Sequence, residues 1–166
     1  WRKNIDYRKS SSAKRKLGGG VLLDLSHELD YVQWLFGKIK IQHCKSNKLS
    51  NLNIETDDFL NLVGKTKNVQ SLQITLNYFT RKRIRQIFID GDNISLQADL
   101  ISKNVVCYDG NKKKVYNFKN SSKNSDYKKQ HLAILKNKSK NKLCTLKEGK
   151  QLVYLINKIR SKSKSK

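Results

Sequence analysis

Three glycines in a row, Gly18–Gly20, open directly onto an apolar pattern that ends at another glycine, Gly37. Leu22, Leu25, Leu29, Val32 and Phe36 recur at spacings of three and four, with Leu23 and Leu35 beside them. That period predicts an amphipathic helix over roughly Leu22–Phe36. Gly37 stops it, as glycine does just past a helix end. Asp24, His27 and Asp30 follow one another at steps of three. The predicted helix therefore gathers an imidazole and two carboxylates near one face of its first turns. A helix that only packs has no use for that group, whereas a site that moves protons does.

The chain starts at Trp1 and has 166 residues, about one domain's length and enough for a single core. Residues 1–160 read as that domain and 161–166, SKSKSK, as a disordered basic tail. No apolar run approaches the ~18–20 residues of a membrane span. Trp1–Lys16 is basic without an apolar stretch, so it is no secretory signal. Cys44, Cys107 and Cys144 are odd in number and lack CxxC spacing. They suit free thiols in a reducing cytoplasm better than disulfides or zinc.

A net charge of +23 invites a nucleic-acid reading. The charge is nearly all lysine, however, and arginine is the usual choice for bidentate phosphate and base contacts. The lysines are spread along the chain among many asparagines, with no proline, as when lysine is the default surface residue. Nucleic-acid binding is therefore not the expected main function, although salt-sensitive adhesion to polyanions is. The densest basic cluster, Arg81-Lys82-Arg83-Ile84-Arg85, lies between two strand patterns. It reads as a solvated hairpin or as a contact for an anionic substrate.

The remaining patterns give an α+β chain. Trp1–Leu17 has no period and reads as an extended arm. Lys38–Cys44, Asp58–Val63, Ser71–Phe79, Arg85–Ile89, Ile94–Leu100, Val105–Tyr108 and Val115–Phe118 read as strands. In the third, Leu72, Ile74, Leu76 and Tyr78 share one face. Asp90-Gly91-Asp92-Asn93 and Asp109-Gly110-Asn111 are hairpin turns. Tyr127–Leu135 and Leu146–Ile159 read as helices, the second with a capping box from Thr145 and Glu148. Short links force mostly antiparallel pairing. The expectation is one open sheet of about six or seven strands, with helices on one face and the other face free to line a pocket or meet a partner.

Gly18–Gly20 also invites comparison with a phosphate cradle. The dinucleotide fingerprint needs G-x-G-x-x-G after a buried strand. Here no apolar strand precedes the glycines, and the spacing would need glycine at Leu23. The glycines read instead as a tight turn or a close backbone approach. His43 and His131 stand without an acid at close spacing and read as structural or surface residues. No cluster of three or four metal ligands is present in the sequence.

Asp6-Tyr7-Arg8-Lys9-Ser10, then Gly18-Gly19-Gly20-Val21-Leu22-Leu23-Asp24-Leu25-Ser26-His27-Glu28-Leu29-Asp30-Tyr31 and Trp34-Leu35-Phe36-Gly37, resemble the C-terminal domain of the Gfo/Idh/MocA oxidoreductases. Asp57-Asp58-Phe59, Ile89–Ile94 and Cys144–Gly149 continue the resemblance more weakly, so that it spans essentially the whole chain. It implies an NAD(P)-dependent oxidoreductase in which a Rossmann domain, outside this chain and before Trp1, holds NAD or NADP. The domain seen here would bind a sugar, a cyclitol or a sugar derivative and form a homo-oligomer through its sheet. By motif position His27 would transfer the proton, assisted by Asp24 or by Asp30, with a lysine of the other domain contributing. Tyr7 and Arg8 would touch substrate. The family pattern puts four steps between acid and histidine, and this chain has three. The DLSHELDY form is similar to a subgroup associated with surface sugars. By itself the chain is expected to be inactive, because hydride transfer needs a bound nicotinamide. The other readings are a catalytically silent binding or scaffold domain of the same fold and, last, a basic nucleic-acid module.

Overall fold

The structure, a computed structural model, describes residues 6–118, 124–135 and 143–164. The chain divides into two compact units. One comprises Trp1–Arg81 with Thr145–Lys166, the other Lys82–Cys144.

From Tyr7 the expected arm is instead three single 3-10 turns, Tyr7–Lys9, Ser11–Ala13 and Arg15–Leu17, and residues 1–5 of that expectation lie outside the described residues. Short polar side chains close the first of them on its own backbone. Asp6 accepts the Arg8 N–H, and the Ser10 hydroxyl donates to the Tyr7 carbonyl at 2.6 Å. The expected helix follows in two pieces, α1 (Val21–Asp24) and α2 (Ser26–Phe36), because Leu25 at φ −104° and ψ 22° interrupts it. Gly37, at φ 90°, ends α2.

Three strands, β1 (Lys40–Asn47), β2 (Phe59–Lys65) and β3 (Leu72–Asn77), pair antiparallel in the order β1-β2-β3. Alternation puts Leu60 and Leu62 of central β2 on one face, both fully buried. Val21, Leu22, Leu29 and Val32 from the broken helix pack into the same core. The last helix, which we number α4 (Leu146–Lys164), lies on β1 and buries Leu155, Ile156 and Ile159. Its start is the expected capping box: the Thr145 N–H and hydroxyl both donate to Glu148 at 2.7 Å, and the Glu148 N–H returns to the Thr145 hydroxyl. Those bonds hold the Glu148 carboxyl below the usual carboxylate range.

The tail expected to be disordered from Ser161 instead continues α4 as far as Lys164. Ser163 follows Ile156 and Ile159 at helical spacing, and its hydroxyl accepts the Ser46 N–H at 3.1 Å. Residues 165–166 of that expectation lie outside the described residues.

The second unit holds β4 (Gln86–Gly91), β5 (Ile94–Asp99), β6 (Asn104–Asp109) and β7 (Lys112–Asn117), antiparallel in chain order, and α3 (Ser125–Leu135). Asp92-Asn93 and Gly110-Asn111 make its two-residue turns, with Asn93 at φ 57° and Gly110 at φ 54°. The α+β class holds, but the strands form two sheets rather than one. The reason is local. Asn77 Oδ1 accepts the Phe79 N–H, the Thr80 N–H and the Thr80 hydroxyl, which turns the chain out of β3. The basic cluster Arg81–Arg85 follows as an exposed connector and not as a hairpin, since β3 and β4 belong to different sheets.

The register places Ile87, Ala98, Val105 and Tyr116 in one row across the second sheet, and Ile89, Leu96 and Cys107 in a parallel row on the same face. Yet none of this unit's described residues is buried. No helix among the described residues is long and apolar enough to cross a membrane.

A histidine at a broken helix start

The glycine turn is built by close packing. Gly18, at φ 75°, ends the third 3-10 turn in the left-handed region. A Cβ at Gly19 would fall on the carbonyl oxygens of Ser11 and Ser12, and one at Gly20 on the Asp57 carboxylate. The glycines thus permit close approach, as expected, and the space a phosphate cradle would need is filled by the chain itself. A dinucleotide pyrophosphate does not fit there.

Asp57 uses that approach to cap the helix. Its carbonyl accepts the Val21 N–H at 2.9 Å, and its Oδ2 accepts the Leu22 N–H at 3.0 Å. A carboxylate at this end also suits the helix dipole. The Ser46 hydroxyl donates to the same oxygen. Neighbouring Asp58 is wholly buried and accepts the backbone N–H groups of Leu49 and Ser50 at 2.7 and 3.0 Å, which folds the connector between β1 and β2.

Asp24 ends α1 and turns inward. Its Oδ2 accepts the Ser12 hydroxyl at 2.6 Å and the Tyr78 hydroxyl at 3.0 Å. Ser12 and Tyr78 are both buried. Burial and, after it, the charge of Asp24 push the Tyr78 hydroxyl well above its ordinary value. A proton held more tightly in the folded state stabilises the fold below the unfolded tyrosine value, about 10, and that stabilisation is lost as pH rises past it. Tyr78→Phe should therefore lose about 1–2 kcal/mol at neutral pH, where the bond to the carboxylate is missing. Above about pH 10 it should lose stability less steeply than the parent. Urea unfolding at neutral and alkaline pH checks both.

His27 lies beyond the break, in the first turn of α2. Its side chain is 54% exposed and its Nε2 stands 3.0 Å from Glu28 Oε1. The Glu28 side chain is only 10% exposed. The structure thus places a third carboxylate, Glu28, beside His27. Asp24 is tied to Ser12 and Tyr78, and Asp30 is half-buried on α2. Tyr7 packs against the core, and its hydroxyl accepts the Asn53 N–H at 3.3 Å. Arg8 holds Asp6 through two N–H groups at 2.8 and 3.0 Å, which lowers the Asp6 carboxyl and raises the guanidinium. His43 and His131 are exposed, on β1 and α3. Among the described residues no group of three or more His, Cys, Asp or Glu could hold a metal ion. A groove of about 690 Å³ between the end of α2 and α4, lined by Gln33, Ile39, Leu146, Tyr154 and Leu155, does not include His27.

The sequence reading passed over Glu28, Ser12 and Tyr78 as site residues. Glu28 carried a signal: it sits three residues after Leu25 and four before Val32, within the apolar stripe. A charge there is buried and requires a partner.

The family model of the GFO/IDH/MocA C-terminal domain matches residues 1–97. No curated protein sequence matches the chain. Among solved structures, the aldose-aldose oxidoreductase of Caulobacter crescentus, complexed with glycerol, superposes with a TM-score of 0.76 at 16% identity, over 97% of this chain and 50% of that one. The WlbA dehydrogenase of Bordetella pertussis, in complex with NADH and UDP-GlcNAcA, gives 0.65 at 17% identity, over 96% and 47%. A super-repressor mutant of Gal80p from Saccharomyces cerevisiae gives 0.71 at 14% identity, over 98% and 51%. The likeness at these identities is one of fold, and the chain spans about half the length of each of these proteins.

Proposed function

We propose, on the premise that the chain belongs to the GFO/IDH/MocA family through its C-terminal domain, that it is the substrate-binding half of an NAD(P)-dependent oxidoreductase acting on a sugar, a cyclitol or a sugar derivative. The observation that carries this reading is His27, a half-exposed imidazole at a helix start with one ring nitrogen held by a nearly buried carboxylate. A base oriented by an acid while its other nitrogen stays free is what removing a hydroxyl proton requires.

The glycine turn does not fit the cofactor's pyrophosphate. In this reading NAD or NADP therefore rests on a Rossmann half outside the chain. The bound nicotinamide supplies hydride chemistry. This chain's part is to hold the substrate and to take up or return the hydroxyl proton at His27. Asp24 anchors the end of α1 to Ser12 and Tyr78, and so sets where α2 begins. Asp30 is one turn along α2 from His27, as a supporting acid. Tyr7 and Arg8 are the candidate substrate contacts, and an anionic substrate would exchange with Asp6 for Arg8. The NADH and UDP-GlcNAcA bound to the WlbA dehydrogenase support the choice of cofactor and substrate class. That Cys44, Cys107 and Cys144 form no disulfide supports a cytoplasmic site.

The test is nicotinamide reduction by the intact polypeptide, with NAD and NADP separately, against aldoses, inositols and nucleotide sugars. Turnover with at least one of them is expected, and none with any would overturn the reading. The Gal80p likeness favours one competitor, a binding domain of the same fold without catalysis. It predicts substrate binding with no turnover in the same assay.

We also assign the second sheet to self-association. Its apolar face, including Ile87, Leu96, Ala98 and Val105, has no buried residue in the single chain, and such a face calls for cover. Light scattering of the intact protein should give an oligomer and of Leu96→Lys a monomer. An unchanged mass for that variant would exclude this sheet.

A further inference from the structure

We propose that Glu28 is the positioning residue for His27, and that it holds the ring with the proton on Nε2 so that Nδ1 is the nitrogen that exchanges a proton with substrate. This rests on the reading of His27 as the proton-transfer group. Glu28 touches no reacting atom and acts only through the imidazole.

The argument starts from burial. With its side chain 10% exposed, the Glu28 carboxylate has little water and needs donors from the protein. His27 Nε2, at 3.0 Å, is at donor distance from Oε1. Two lone pairs would repel at that distance, so we place the hydrogen on Nε2, facing the carboxylate. In the neutral ring the lone pair is then on Nδ1, the nitrogen left for chemistry at a side chain 54% exposed. Glu28 lies in the first turn of α2, where the helix dipole favours a negative charge.

The proton balance follows. In the oxidising direction the substrate O–H proton would move to Nδ1 as the carbonyl forms, with a bound nicotinamide supplying the hydride chemistry. The resulting imidazolium keeps its Nε2 hydrogen against Glu28, whose charge offsets the new positive one. Nδ1 then passes the proton to water. The reducing direction reverses each step. Without Glu28 the ring would be free to rotate and to move its hydrogen to Nδ1, where it could not accept.

Ring 1H–15N correlation spectra of the uniformly 15N-labelled chain test this at a pH where the imidazole is neutral, with His27→Gln assigning the resonances. The parent should show a protonated Nε2 and a lone-pair Nδ1 at His27. Glu28→Gln keeps an acceptor oxygen and should retain that pattern. Glu28→Leu should give mixed tautomers. A protonated Nδ1 in the parent, or an unchanged pattern in Glu28→Leu, would overturn the proposal. In the intact enzyme Glu28→Leu should lower kcat on the order of 10–100-fold, a part of what a general base supplies, with KM nearly unchanged and Glu28→Gln recovering most of the loss. The two claims fail separately. A Glu28-dependent tautomer in a protein that never turns over leaves the pairing standing and removes the enzyme reading.

Discussion

Gly19→Ala should destabilise the first unit by about 3 kcal/mol or more, at the upper end of what overpacking costs. The added Cβ meets the carbonyl oxygens of Ser11 and Ser12, which are backbone and cannot swing aside as a flexible side chain would. Both belong to one 3-10 turn, and Ser12 also holds Asp24 and, through its carbonyl, the Thr56 hydroxyl and the Gly20 N–H. A shift there would disturb the anchor of α1 as well as the turn. For a chain of this length about 3 kcal/mol corresponds to a fall in Tm of roughly 6–12 °C. Gly149→Ala is the control, because its Cβ meets nothing within 4 Å and the residue lies inside α4. It should gain about 0.5–1 kcal/mol from helix propensity. Thermal unfolding of both variants should therefore move in opposite directions, and equal small losses would mean that the glycine turn is not packed as described.

The parts of the fold that short-range patterns specify were legible. The capping box at Thr145 and Glu148, the stop at Gly37 and the two-residue hairpin turns depend on neighbours a few residues apart. The tightness of the glycine turn was also legible, since glycines without a preceding strand have few other uses. The break at Leu25 was not. Leu25 fits the apolar period, and only the anchors on Asp24, just before it, show why the helix restarts. Those anchors, Ser12 and Tyr78 on Asp24, lie 12 and 54 residues away in sequence. The same limit explains the division into two sheets. Alternation marks which residues are strands, but the turn made by Asn77 decides which strands pair.

For the site, the sequence singled out His27 with Asp24 and Asp30, and the structure adds Glu28, whose Oε1 stands 3.0 Å from the imidazole Nε2. Steps of three put Asp24 and Asp30 on its face, an argument that fails for Asp24 across the break at Leu25 and holds for Asp30, which shares α2 with His27. With the helix interrupted at Leu25, Asp24 faces the buried hydroxyls and Glu28 takes the imidazole. The shortened interval between Asp24 and His27 and the break at Leu25 lie in the same turn.

His27→Ala removes the only group in this helix start that is both exposed and able to exchange a proton near neutral pH. The substitution takes away an exposed ring and leaves the core residues in place, so its effect on Tm should be small, within about 0.5 kcal/mol for a surface position plus the loss of one bond to Glu28. Turnover should fall far more, because Asp24 is bound to Ser12 and Tyr78 and Glu28 is nearly buried. The measurement that tests the account most directly is therefore kcat of the intact enzyme with and without His27, made on protein shown by thermal unfolding to be folded. The account predicts a loss of roughly 10²–10⁴-fold. Turnover within about twofold of the parent, well below any general acid–base contribution, would contradict it.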